Sequence, residues 1–342
     1  MFIPKYPTYI GINITNRCNY ECSYCIVDGG KNEDELSHKQ LYKILDEAHS
    51  MGVRYIGFSG GEPFYYPQFM DILELYLPHF GINIVTNGSL IDKNIAEKLK
   101  YLSKEHNLSL RISLDGPTAN IHEFFRGKGT YKTAINAIQL LLENNVPIGV
   151  YTVLHRHNIN HFQKFLYFLK SLGINVVRAL PLFPMGRGNK LTQYVLDKQE
   201  WWHLLESREY LEQKFSISIL LESPLDFLLS SSPGIQAKPC IAGYLYLGVA
   251  PNGDIFPCPY MMEMVLGNIN ESTLYDIWTN SRVLASLRDT NLLKGSCAAC
   301  QYREKCRGGC RGLSYLVSGD FLNPDPYCPI AAKIFHQAKK DA

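Results

Sequence analysis

With 342 residues the chain can bury a large core and a smaller second unit, and its near balance of 34 Lys and Arg against 32 Asp and Glu excludes a polyanion partner such as nucleic acid. No basic amino-terminal segment leads into a long apolar run, and no apolar stretch reaches the roughly 18 residues of a membrane span, which excludes a membrane partner and predicts a cytoplasmic protein. Ten cysteines at ligand-like spacings, without a signal peptide, read as metal ligands in a reducing compartment and not as disulfides.

From Thr8 to Leu180 short apolar runs alternate with amphipathic segments. Strands are predicted at Tyr9–Ile14, Tyr55–Ser59, Asn83–Thr86, Ser109–Leu114, Gly149–Leu154 and Val176–Leu180, with helices around Lys39–Ser50, Gln68–Tyr76, Lys93–Leu102, Tyr131–Glu143 and Phe162–Leu172. Six strand-helix repeats imply parallel strands with right-handed crossovers, which a barrel and a doubly wound sheet satisfy equally. Arg126-Gly127-Lys128-Gly129-Thr130 looks like a phosphate loop but lacks the spacing and the Gly-Lys-Ser/Thr ending of one, so nucleotide binding there is rejected.

The first strand runs into Cys18, Cys22 and Cys25, three thiolates within eight residues. A 4Fe-4S cluster has four irons, so a three-cysteine loop leaves one iron open to a small molecule; structural zinc wants four ligands, and no fourth Cys or His lies near this loop. Cys-x3-Cys-x2-Cys, with Tyr24 before its last cysteine, resembles the signature of the radical S-adenosylmethionine (radical SAM) superfamily. The resemblance implies a partial (β/α)6 TIM-like barrel with its site at the carboxyl ends of the strands. It implies that Cys18, Cys22 and Cys25 bind a 4Fe-4S cluster whose open iron is chelated by SAM, that Tyr24 lies against adenine, and that an electron donor such as flavodoxin or ferredoxin reduces the cluster. SAM is then cleaved to methionine and a 5'-deoxyadenosyl radical that takes hydrogen from the substrate.

The predicted strand ends carry matching motifs. Gly60-Gly61-Glu62-Pro63 closes the second strand, where glycines admit a close backbone approach and Glu62 offers an acceptor; it resembles the family motif that meets the methionine amino group. Asn87 and Ser113, ending the third and fourth strands, are by the same resemblance contacts for SAM's methionine and ribose groups, although Asn-Gly and Asp-Gly are also ordinary turn formers. Arg178, on the sixth strand, is a candidate partner for the SAM carboxylate, with an ordinary surface arginine as the alternative.

Pro184-Met185-Gly186-Arg187-Gly188 ends the repeats, Lys198–Lys214 reads as a helix, and Ser230-Ser231-Ser232-Pro233-Gly234 as a flexible joint. Seven cysteines follow: Cys240, Cys258, Cys297, Cys300, Cys306, Cys310 and Cys328. Asn252-Gly253, between Leu245–Ala250 and Ile255–Pro257, predicts a hairpin with Cys258 on its returning strand. A zinc ribbon would also combine a hairpin with Cys-x2-Cys, but the seven-cysteine order resembles the SPASM extension of radical SAM enzymes, which holds auxiliary iron-sulfur clusters. The expected organisation is a barrel over 1–215, a linker over 216–239, and a small cysteine-rich α+β unit with a β-hairpin over 240–342.

In the family's arrangement Cys297, Cys300, Cys306 and Cys328 surround a distal auxiliary 4Fe-4S cluster, and Cys240, Cys258 and Cys310 hold one nearer the barrel. The nearer set is one ligand short, leaving a place for Asp226, Glu222, solvent or substrate. Sulfatase-maturing members have an acidic residue after the cysteine matching Cys258; Pro259 stands there, which disfavours that activity. The chain enters its first strand near Thr8, so any leader peptide is expected to be held by the barrel, the extension or a separate leader-binding protein. The resemblance thus implies modification of a ribosomal peptide or protein by crosslinking, epimerisation or oxidation. Modification of a tetrapyrrole is the alternative enzyme reading, and a non-catalytic electron carrier or sensor is the alternative of another class.

Overall fold

The computed structural model describes residues 4–229 and 239–331; the predicted joint at Ser230-Ser231-Ser232-Pro233-Gly234 lies outside them. The elements run β1 (Tyr9–Thr15), α1 (His38–Met51), β2 (Tyr55–Gly60), α2 (Phe69–Tyr76), β3 (Gly81–Thr86), α3 (Lys93–Glu105), β4 (Leu108–Ser113), α4 (Ala119–Arg126), α5 (Thr130–Glu143), β5 (Ile148–Leu154), α6 (Phe162–Ser171) and β6 (Val176–Pro181). Then follow α7 (Lys198–Phe215), β7 (Ser218–Leu221), β8 (Tyr246–Val249), β9 (Asp254–Phe256), β10 (Gly267–Asn268), α8 (Leu274–Asn280), α9 (Arg282–Arg288), α10 (Arg303–Cys306) and α11 (Arg311–Ser318). No helix among the described residues is long and apolar enough to cross a membrane.

One sheet contains every strand, in the order β10-β9-β8-β1-β2-β3-β4-β5-β6-β7, parallel from β8 through β7. Strand alternation sorts its two faces. Ile10, Ile12, Ile56, Phe58, Ile84, Leu110, Ile112, Val177 and Ala179 have no exposed surface and belong to the main core with the helices. Their neighbours Tyr9, Asn13, Ser59, Asn83, Ser109, Arg111, Tyr151 and Arg178 are only half-buried and line the open lumen of the partial barrel. Helix starts follow local chemistry: Ser37 and Asp197 form capping boxes on α1 and α7, and Asp92 caps α3.

The structure departs from the sequence reading in four places. Residues read as linker carry β7, which pairs with β6 and extends the sheet. The predicted hairpin forms, but β8 also pairs in parallel with β1, so the extension continues the barrel sheet. The wholly buried β8 needs partners on both sides and β1 would otherwise be an open edge, so the pairing satisfies both. The Tyr246 hydroxyl lies across Gly11, where a Cβ would come within 2.2 Å. Cys258 is not on the returning strand: β9 ends at Phe256, and Pro259, which cannot donate to a ladder, opens a 3-10 turn directly after Cys258. Finally, the short helix α4 was not anticipated, and the phosphate-loop lookalike is its joint to α5, with Gly127 ending one helix and Gly129 starting the next.

Candidate functional site

At the carboxyl end of β1 the pairing with β2 slips between Asn13 and Thr15, an irregularity that turns the chain off the sheet and into the loop carrying Cys18, Cys22 and Cys25. Three neighbours pin this loop. Gly61 and Glu62 donate backbone N–H groups to the carbonyls of Thr15 (2.7 Å) and Arg17 (2.9 Å), and Ser23 donates to Phe125 (2.8 Å). Arg187 donates from its backbone to Cys25 (3.0 Å), from Nε to the Cys22 carbonyl (2.8 Å), and from Nη1 to the Gly29 carbonyl (2.8 Å). The glycine pair at the end of β2 thus serves the cysteine loop: a Cβ on Gly61 would stand 2.2 Å from the Arg17 carbonyl oxygen. Arg187 was not singled out from the sequence; its only signal was its place between two glycines. Replacing it with Met should loosen this loop, lowering its iron retention while the other clusters persist, as read by iron analysis and paramagnetic spectra.

The Glu62 side chain has no exposed surface. One carboxylate oxygen accepts from the Thr86 hydroxyl (2.6 Å) and the Phe64 N–H (3.2 Å), the other from the Asn87 N–H (2.8 Å). In this conformation the carboxylate is spent inside the protein, tying the end of β2 to the end of β3. Burial pushes its pKa up to about 7, against those three donors. The folded state therefore holds a proton that the unfolded chain has released between roughly pH 4.5 and 7, so this group's contribution to stability falls as pH rises through that window. Glu62→Gln, which cannot ionise, should be less stable than wild type at pH 5, and the gap should narrow toward pH 8 in thermal denaturation.

Asn87 joins β3 to the cluster loop: its Nδ2 donates to Asn19 Oδ1 (3.1 Å) and lies 4.0 Å from Cys18 Sγ. Ser113 ends β4 on the lumen side, with Tyr151 as its register partner. Tyr24 is buried; its hydroxyl donates to Asp115 and its ring meets Phe125 edge-on. Arg178 sits in the lumen on β6 and pairs with Glu222; no hydrogen bond or ion pair among the described residues joins it to the cysteine loop. Arg111, two residues before Ser113, is a charge neighbour of Arg178 and has no ion-pair partner among the described residues.

Beneath the loop lies a buried polar network absent from the sequence reading. Asp115 accepts from Arg126 Nε (2.6 Å), the Tyr24 hydroxyl and the Val153 N–H (3.0 Å), and its own N–H donates to His122 Nδ1 (3.1 Å). Burial would raise its carboxyl, but the Arg126 guanidinium holds it below the usual carboxylate range. Burial pushes His122 down to about 4, leaving the imidazole neutral and able to accept. The network fixes Tyr24 and, through Arg126, places a cation near Cys22.

In the extension Cys297, Cys300, Cys306 and Cys328 line one small cavity, with Leu225, Phe227 and Gly308 on its wall. Cys240, Cys258 and Cys310 are mutual charge neighbours and form a second set. The Cys310 N–H donates to buried Asp325 Oδ2 (2.7 Å), whose other oxygen accepts from the Tyr327 N–H (2.8 Å). Of the two carboxylates considered as a fourth ligand, Glu222 is a charge neighbour of Cys258, whereas Asp226 pairs with Arg208 in the segment beside the four-cysteine cavity.

The donor chemistry fits clusters. Burial pushes Cys18 and Cys297 up to about 11 and Cys306 up to about 12, so these thiols ionise only when a cation shares their site. No group of three or more His, Cys, Asp or Glu among the described residues is disposed to hold a single metal ion; a cluster spreads its thiolates over separate irons.

Comparison with known proteins agrees. The family model of the radical SAM superfamily matches residues 12–169, and that of the SPASM iron-sulfur cluster-binding domain matches 240–301. An AdoMet-dependent heme synthase of Methanosarcina barkeri is 30% identical over 94% of this chain and 96% of its own length. Mycofactocin maturase MftC of Mycobacterium tuberculosis is 27% identical over 94% of this chain and 83% of its own. The fold matches the crystal structure of Streptococcus suis SuiB bound to S-adenosylmethionine, at TM-score 0.77, 19% identity, and coverage of 96% of this chain and 78% of that one.

Proposed function

The chain belongs to the radical SAM superfamily and carries the SPASM iron-sulfur extension, and on that footing we propose that this enzyme modifies a residue of a ribosomally made peptide or protein. When bound, the 4Fe-4S cluster and SAM supply a one-electron cleavage that yields a carbon-centred radical able to take hydrogen from the substrate. Cys18, Cys22 and Cys25 hold that cluster. Asn87, Ser113 and the Gly60-Gly61-Glu62 turn form the rim where SAM binds, and Tyr24 closes its inner side, held by Asp115. The half-buried lumen lined by Arg111, Tyr151 and Arg178 takes the substrate. Cys240, Cys258 and Cys310 hold one auxiliary cluster, and Cys297, Cys300, Cys306 and Cys328 the other.

The observation that carries the peptide reading is the similarity to a maturase along 94% of this chain. The tetrapyrrole reading is favoured by one observation of its own, the similarity to a heme synthase over 96% of that protein. Anaerobic incubation with SAM and dithionite separates them. A short peptide, if one is encoded beside the gene, should stimulate 5'-deoxyadenosine formation and change in mass or in deuterium content. Conversion of a carboxylated tetrapyrrole with the peptide untouched would overturn the proposal, and absence of 5'-deoxyadenosine under every condition would leave an electron carrier.

A further inference from the structure

Arg311 opens α11 directly after Cys310 and is only 2% exposed. Its Nε and Nη1 have no hydrogen-bond partner among the described residues. Its guanidinium carbon stands 5.7 Å from the centre of the Phe321 ring. Asp320, an acid that shares its field, is already engaged by Lys294 at 2.6 Å. Its leading charge neighbours are Cys240, from the three-cysteine set, and Cys297, from the four-cysteine set. A Cβ on Gly308, which lines the four-cysteine cavity, would come within 2.3 Å of Arg311 Nη1. The side chain therefore spans the wall between the two cysteine sets.

A guanidinium does not shed its proton in a protein, so this is a permanent buried cation with free donors and no ion-paired carboxylate among the described residues. Such a group is strongly destabilising unless an anion shares its site. A 4Fe-4S cluster with its thiolates carries net negative charge, and hydrogen bonds to its sulfurs and nearby charge are among the factors that set its reduction potential.

We infer that Arg311 is the buried countercharge shared by the two auxiliary cluster sites, a positioning residue that raises the reduction potential of both. The inference rests on assigning Cys240 and Cys297 to the auxiliary clusters. One-electron reduction adds one negative charge to a cluster, and a fixed cation at the wall between two clusters favours that added charge on either side. Arg311 thereby makes both sites easier to reduce while leaving the difference between their potentials largely unchanged.

The test uses full-length protein with Cys18, Cys22 and Cys25 replaced by Ala, so that only auxiliary clusters are observed. Arg311→Met and Arg311→Lys are made in that background, reconstituted anaerobically, and compared by iron content and by dithionite titration followed by paramagnetic resonance. Arg311→Met should keep its iron, with both auxiliary midpoints shifted to more negative potential, and Arg311→Lys should stay near the parent. Unmoved midpoints with full iron in Arg311→Met would overturn the inference. So would equal loss of iron in both variants, because that marks a packing role indifferent to charge. A parent that binds no auxiliary iron would remove the cluster assignment itself, and the inference with it.

Discussion

Protein in which Cys18, Cys22 and Cys25 are all alanine is expected to make no 5'-deoxyadenosine from SAM and dithionite, yet to keep about eight of about twelve irons per chain after reconstitution. The loop is the sole cysteine group before residue 240, and its backbone is held from β2, α4 and the Arg187 segment. Losing its thiolates should therefore leave the barrel folded and the auxiliary sites loaded. Product analysis by chromatography together with iron counting checks both halves. Continued 5'-deoxyadenosine formation would mean that SAM is cleaved elsewhere, and loss of all iron would mean that the three sites do not load independently.

The second large effect concerns Asp115. Asp115→Ala should cost about 3–5 kcal/mol, the scale for breaking a buried ion pair and stranding the other charge. The side chains of Arg126 and Asp115 are 7% and 1% exposed, so water cannot compensate. Asp115→Ala with Arg126→Met should recover part of that loss, since the stranded guanidinium is what costs most. The pair also has a pH signature. A carboxyl held below its ordinary value contributes stability that is present above the unfolded pKa of about 4 and is lost as pH falls through the lower folded value. Wild type should show this acid-side loss in denaturant titrations and Asp115→Ala should not. A single variant no weaker than a surface substitution would refute the account.

The repeats of the barrel were legible because each strand pairs with its sequence neighbours and each helix shows a clean apolar stripe; observed strand ends fall within two residues of those read from the pattern. The cysteine groups were legible because ligand chemistry fixes spacing along the chain. What escaped was decided by partners distant in sequence. Asp115 sits in a Leu-Asp-Gly stretch that any turn could use, and nothing local says that Arg126, in a stretch resembling a phosphate loop, turns inward to meet it. Likewise Gly-Arg-Gly around residue 187 looks like a break, although its arginine reaches back to Cys22 across the fold. Edge pairing is equally silent: four residues of β7 read as linker, and β8 as one arm of a separate hairpin, until the sheet offers each a neighbour.

The pairing of β1 with β8 bears on how the molecule is made. Strand β1 meets its second neighbour only when β8, roughly 240 residues further along, has been made, a long-range closure of the kind that slows folding. Until then β1 presents an open edge, next to a cysteine loop that has no cation to steady it, and such edges invite association between unfinished chains. Iron delivered to the first loop before the hairpin arrives would organise that edge early. Iron delivered afterwards would meet a sheet already closed on that side. Order of metallation is thus coupled to order of strand addition, and yields of soluble protein should depend on when during synthesis iron and sulfide are supplied.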